Sequence, residues 1–173
     1  MKVKTRTALL VSFFIVSSGL SAFDGQRKGF ILGAGIGGGY LDDHDPYHPS
    51  GFGTLMTNFK IGYAPSNSLE VYYANNVSWF GFFEGLSAIG ASCVAVTKYL
   101  KPEGKGVFVC GGVGMSSLWR LGGSSSISGF GAFGGIGYDE GKHVYFQGDI
   151  VYTNRGSSNY SWAFRLTLNV LAF

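Results

Sequence analysis

The feature that most constrains this chain is a two-residue alternation in which bulky apolar side chains fill one row while glycine or polar residues fill the other. Between Gly29 and Tyr40 one row is Phe30, Leu32, Ala34, Ile36 and Tyr40, and the other is Ile31 with Gly33, Gly35, Gly37 and Gly39. Side chains at period two stand on opposite faces of a strand, so this segment is read as a strand with two unlike faces. The same signature returns along the chain with turn residues between. Thr54 to Ala64 sets Leu55, Phe59, Ile61 and Tyr63 against Asn58, Lys60 and Gly62. Ser68 to Val77 sets Leu69, Val71 and Tyr73 against Glu70 and Tyr72.

Leu86 to Leu100 is small and apolar on both faces, so its ends orient it: Ile89 and Tyr99 are placed outward and Lys98 inward. A fifth segment opposes Val107, Val109, Val113 and Met115 to Cys110, Gly112 and Gly114. Ile127 to Tyr138 opposes Phe130, Ala132, Ile136 and Tyr138 to Gly129, Gly131, Phe133 and Gly135. A seventh opposes Val144, Phe146, Ile150 and Tyr152 to Tyr145, Gln147, Asp149 and Thr153. Tyr160 to Phe173 closes the series with Trp162, Phe164, Leu166, Leu168 and Val170 against Arg165, Thr167 and Asn169. Eight strands in series predict an all-β, antiparallel, up-and-down barrel. Connections 65–67, 101–105 and 139–142 are short, 41–53, 78–85 and 120–126 are longer, and 155–159 is short again.

Which face meets which solvent follows from the side chains. The bulky row carries no Lys, Arg, Asp or Glu, so it cannot face water, and the glycine row is too small to fill a dry core. Both are satisfied if the bulky row faces hydrocarbon and the other lines the lumen, which is a transmembrane β-barrel. Phe30, Ile61, Phe146 and Leu166 then belong on the outer wall. Tyr40, Tyr63, Tyr73, Tyr99, Tyr138, Tyr152 and Trp162 are expected in interfacial girdles.

Residues 1–22 read as a signal peptide, with Lys2, Lys4 and Arg6 before the apolar Ala8 to Val16 and a small-residue exit ending at Ala22. The apolar run is shorter than the ~20 residues of a spanning helix. Residues 23–173 form the barrel domain. Without the signal, ten basic and ten acidic side chains balance, and no basic surplus supports nucleic-acid binding.

The signal segment, the eight alternating strands, the opening GFILGAGIGGGY and the terminal phenylalanine resemble the small eight-stranded outer-membrane barrels of Gram-negative bacteria, of the outer membrane protein A and X type. The resemblance covers residues 27–173. It implies residence in the outer membrane, contact with its lipid and lipopolysaccharide, recognition of the last strand by the barrel assembly machinery, a monomer, and no cofactor. Members of this family end in an aromatic with apolar residues at every second position before it. Here Phe173 and Leu171 fit, but Asn169, Thr167 and Arg165 are polar, so a bulge near Val170 is expected to switch faces.

Charges inside a narrow barrel need partners. Pairing Asn154 with Tyr160 sets Asp149 opposite Arg165, and the 65–67 turn sets Lys60 diagonal to Glu70. These two pairs are expected as lumen salt bridges that plug the barrel, a reading preferred to an ion path because eight strands leave an interior filled by side chains. Gly33, Gly35 and Gly38, and again Gly129, Gly131 and Gly134, match a dinucleotide fingerprint but open no helix, so they are read as small lumen positions. His44 and His48 with Asp42, Asp43 and Asp45 could hold a divalent cation, although loop residues of this kind are usually only solvated; no metal site is assigned. Cys93 is placed outward and Cys110 inward, as two free thiols. Trp79, Phe80, Phe82 and Phe83 concentrate aromatics in the second long connection, as a continuation of the third strand into the girdle or as a surface contact site.

The expected role is therefore structural or in surface interaction, without catalysis. Two alternatives belong to other classes. One is a lipid A-modifying enzyme of the deacylase type, whose architecture is similar, although no predicted strand carries a histidine between its ends. The other is a soluble, lipocalin-like ligand carrier.

Overall fold

The computed structural model describes residues 27–44, 51–82, 85–120, 127–141, 143–156 and 159–173. The proposed signal peptide, residues 1–22, lies outside them. The strands are β1 (Gly29–His44), β2 (Phe52–Ser66), β3 (Leu69–Phe80), β4 (Ser87–Tyr99), β5 (Gly106–Arg120), β6 (Ile127–Asp139), β7 (Val144–Asn154) and β8 (Tyr160–Ala172). Each pairs antiparallel with its sequence neighbour, and β1 pairs with β8 to close the barrel. With 11 to 16 residues apiece, all reach or exceed the ~9–11 that a tilted strand needs to cross hydrocarbon. Closure leaves no strand edge unpaired, which a lipid environment requires.

Sidedness follows the alternation. Phe30 is 55% exposed, Ile61 37%, Phe146 58% and Leu166 74%. A soluble carrier would bury these residues; here they form the outer wall. The charged residues Lys60, Glu70, Asp149 and Arg165 are buried within. The wall's few polar groups bond each other: Asn75 Nδ2 donates to Ser92 Oγ at 2.9 Å, and Trp79 Nε1 to Thr57 Oγ1 at 2.9 Å.

Lumen glycines make room for large side chains from other strands. A Cβ at Gly35 would sit 1.8 Å from Asn169 Oδ1, and one at Gly137 would sit 2.1 Å from Phe108 Cζ. The interior is thus a packed core around Ile31, Met56, Tyr72, Phe108, Phe133 and Tyr145, as expected for eight strands. One irregularity interrupts the ladders of β2 and β3, between Tyr63 and Ser66. It contains Pro65, which has no N–H to give a ladder.

Two expectations are corrected. β4 is turned over: Ile89 and Tyr99 are buried inside and Lys98 is exposed outside. Tyr99 pairs with Phe108, one residue away from a register joining Leu100 to Gly106. That single step reverses every side chain. It carries Tyr99 out of the girdle and Cys93 into the lumen, the side that Cys110 also faces four residues along the ladder. Both thiols are free. The physical preference is clear at Tyr99, whose hydroxyl finds three charged partners inside, while Lys98 reaches Ser68 Oγ at 3.1 Å on the rim. The second correction is β8. Its pairing with β7 and β1 runs without a bulge, so Leu171 and Phe173 point inward with Arg165, Thr167 and Asn169.

Candidate functional site

The lumen is stratified from the short-turn end upward. Its lowest layer is centred on Glu70 of β3, which the shift at Pro65 aims toward β2. Glu70 Oε2 accepts from Lys60 Nζ at 2.7 Å, and Oε1 accepts from Arg27 at 3.1 Å. Arg27 also donates to Asp139 Oδ2 at 2.7 Å and to the Tyr99 hydroxyl. The hydroxyl of Tyr99 lies 3.3 Å from both Glu70 and Asp139. Aromatic faces surround the cations. Arg27 stacks over Tyr99 at 4.3 Å and Phe173 at 4.8 Å, and Lys60 lies over Tyr72 at 4.8 Å and Tyr145 at 4.9 Å. Two cations thus meet two carboxylates with no net charge, and aromatic rings shield them from water.

Asp149 and Arg165 occupy the middle layer, directly opposite across β7 and β8. The guanidinium Nε lies 3.1 Å from Asp149 Oδ1, and Asp149 Oδ2 accepts from Gln147 at 2.7 Å. Above them Leu41, Met56, Ile89, Leu118 and Val151 make an apolar layer. At the long-loop mouth Asp43 turns inward and pairs with the buried Arg155.

Sequence reasoning missed Arg27, Asp139, Asp43 and Arg155. Each lies at a strand end, where alternation says least about direction, although charges of opposite sign at the strand ends were a usable signal. The structure brings Lys60 to Glu70 and Arg165 to Asp149. It does not gather the remaining candidates into one site. β3 continues through Phe80, with Trp79 on the outer wall and Phe80 packed on Phe52 at 5.2 Å. Phe82 is exposed, and Phe83 lies outside the described residues.

Of the loop cation candidates, His48 and Asp45 lie outside the described residues, and Asp43 is committed to Arg155. His44 stacks on Tyr160 at 4.4 Å and sits 3.8 Å from Asp42. Among the described residues no three His, Cys, Asp or Glu side chains converge. Ser161, the serine next to Tyr160, bonds Thr153 Oγ1 at 2.6 Å inside the lumen.

No protein-family model matches the chain, and no curated protein sequence matches it. Solved structures do. The attachment invasion locus protein Ail of Yersinia pestis superposes with a TM-score of 0.61 at 14% identity, over 83% of this chain and 99% of that one. Neisserial surface protein A gives 0.57 at 15% identity, over 83% and 97%. The outer membrane protein OprG from Pseudomonas aeruginosa gives 0.53 at 12% identity, over 84% and 97%. At these identities the likeness is one of fold: a closed eight-stranded barrel of the outer-membrane type.

Proposed function

We propose that this chain is an integral outer-membrane barrel whose lumen is plugged and whose work is done at its rims and outer wall, as a structural or surface-interaction protein. The observation that carries the reading is the sidedness of the wall, with bulky apolar residues outside and compensated charges inside. Three features support plugging over conduction: the Arg27, Lys60, Glu70 and Asp139 cluster, the Asp149 and Arg165 pair, and the apolar layer above. A second Ail structure is a complex with the heparin analogue sucrose octasulfate. Here the sequence of the long connections holds Asp42, Asp43, Asp45 and Glu84 against Arg120 and Arg155, a balance that suits a neutral or basic partner better than a polyanion.

The test uses the full chain expressed in a Gram-negative host. Extraction from membranes only with detergent, heat-modifiable gel mobility, and cleavage of intact cells within residues 45–50 are the expected results. Recovery in a detergent-free periplasmic fraction would overturn the reading. Planar-bilayer recordings should show no steady monomer conductance. An open channel of stable size would refute the plug.

A further inference from the structure

The outer wall of β6, β7, β8 and β1 is indented, and the indentation is amphiphilic. In the lower of its two rows, Val107, Tyr138, Phe146, Leu168 and Ile36 stand side by side across consecutive strands. In the row above, Gly148 is flanked by Ile136 and Leu166, and beyond it Gly111 pairs with Gly134. These wall glycines differ from those of the lumen. A Cβ at Gly134 would meet nothing nearer than 4.0 Å, and one at Gly148 the end of the Leu166 side chain at 3.3 Å and the Arg165 carbonyl oxygen at 3.9 Å, an ordinary contact. Packing within the barrel does not require glycine there, yet strand interiors disfavour it, and such positions mark close approach by something else. The result is a groove of about 700 Å³ that continues into a second of about 520 Å³ through Ile136, Gly148 and Leu166.

The lower end of the groove is polar. Tyr138 also lines a pocket of about 330 Å³ with Lys101, Lys105, Asp139 and Glu140. The stem of Lys101 passes over Gly106 and that of Lys105 over Gly141, so both ammoniums lie at the rim. Neither forms an ion pair with a described residue. Short turns mark the periplasmic end of such barrels, where the leaflet is glycerophospholipid.

We propose that Lys101, Lys105 and Tyr138 hold the phosphate of an anionic phospholipid of the periplasmic leaflet, with one acyl chain seated in the groove over Gly148 and Gly134. Asp139 is already held by Arg27, which leaves two ammoniums against the carboxylate of Glu140, and that excess selects a headgroup with net negative charge over a zwitterion. The inference rests on the membrane reading above and adds a defined site to it.

The experiment is native mass spectrometry of the full chain, released from detergent micelles containing equal phosphatidylglycerol and phosphatidylcholine. One phosphatidylglycerol per barrel is the expected retained species. The Lys101→Gln/Lys105→Gln double variant should bind it about 30-fold more weakly, since each ammonium near a membrane surface contributes roughly fivefold. Gly148→Leu and Gly134→Leu should each lose the lipid while keeping heat-modifiable mobility. Equal retention of the two lipids, or retention at the wild-type level in the lysine variant or in both glycine variants, overturns the site. Absence of heat-modifiable mobility in the wild type would instead refute the barrel's membrane insertion.

Discussion

Glu70→Gln tests the lumen cluster most directly, because this side chain is fully buried and serves two cations at once. The amide keeps the volume and removes the charge. Arg27 retains Asp139 at 2.7 Å, so its loss is partial. Lys60 is left with the faces of Tyr72 and Tyr145 at 4.8 and 4.9 Å and no carboxylate. Orphaning a buried ion costs about 3–5 kcal/mol, and the aromatic faces hold the expected loss to roughly 3 kcal/mol. The assay is a urea titration in micelles, with the heat-resistant folded band as readout. Lys60→Met removes the cation instead and leaves Glu70 with Arg27 alone, and the double variant should be more stable than the summed single losses by about 2 kcal/mol, because it no longer strands the ammonium that Glu70→Gln orphans. A Glu70→Gln loss below about 1 kcal/mol, the range of an exposed ion pair, or strict additivity, would refute a dry, charge-compensated plug.

The middle pair should behave likewise: Asp149→Ala is expected to cost about 3 kcal/mol and Asp149→Ala/Arg165→Leu less than that, in the same titration. Gly35→Leu should abolish the folded band, because its Cβ would fall on Asn169, whereas Gly134→Leu on the wall should be neutral or stabilising by about 0.5–1 kcal/mol. Cys93 and Cys110 should resist a bulky, membrane-impermeant maleimide in the folded barrel and label after urea. A non-reducing gel should show no intramolecular bridge, since Cys93 pairs with Gly114 and Cys110 with Thr97 in the ladder.

The strands most legible from sequence were those whose faces differ most. β1 and β8 alternate bulky with glycine or polar residues over nearly their full length, and the β7 to β8 register that sets Asp149 against Arg165 follows from a short connection. β4 was not legible because Ala88, Ala91, Ala95, Val94 and Val96 suit either side, and orienting it by Lys98 and Tyr99 put weight on its least informative end. Snorkelling lets a lysine sit outside at a rim, while a tyrosine hydroxyl gains more from buried charges than from an interface. Phe173 misled for a related reason. A terminal aromatic can face out only if the ladder shifts, and the polar row of β8 stays inward through Asn169 without a shift, so Phe173 caps Arg27 instead.

A full lumen also decides where function can reside. Among the described residues, layers of ion pairs and packed aromatics fill the lumen and leave a space of only about 10 Å³ beside Lys60 and Tyr72, which directs the search for a partner to the long loops, the lysine-bearing rim and the wall. The wall is the least expected of these, because hydrocarbon offers few contrasts to recognise. Its polar groups are paired off with one another on the β2 to β4 side, and its relief is concentrated on β6 to β1. Shape is the remaining source of specificity in an apolar solvent. Gly134 and Gly148 on the wall, where packing within the barrel does not demand glycine, and two ammoniums at the foot of the same groove are the contrasts by which the proposed site would distinguish one lipid from another.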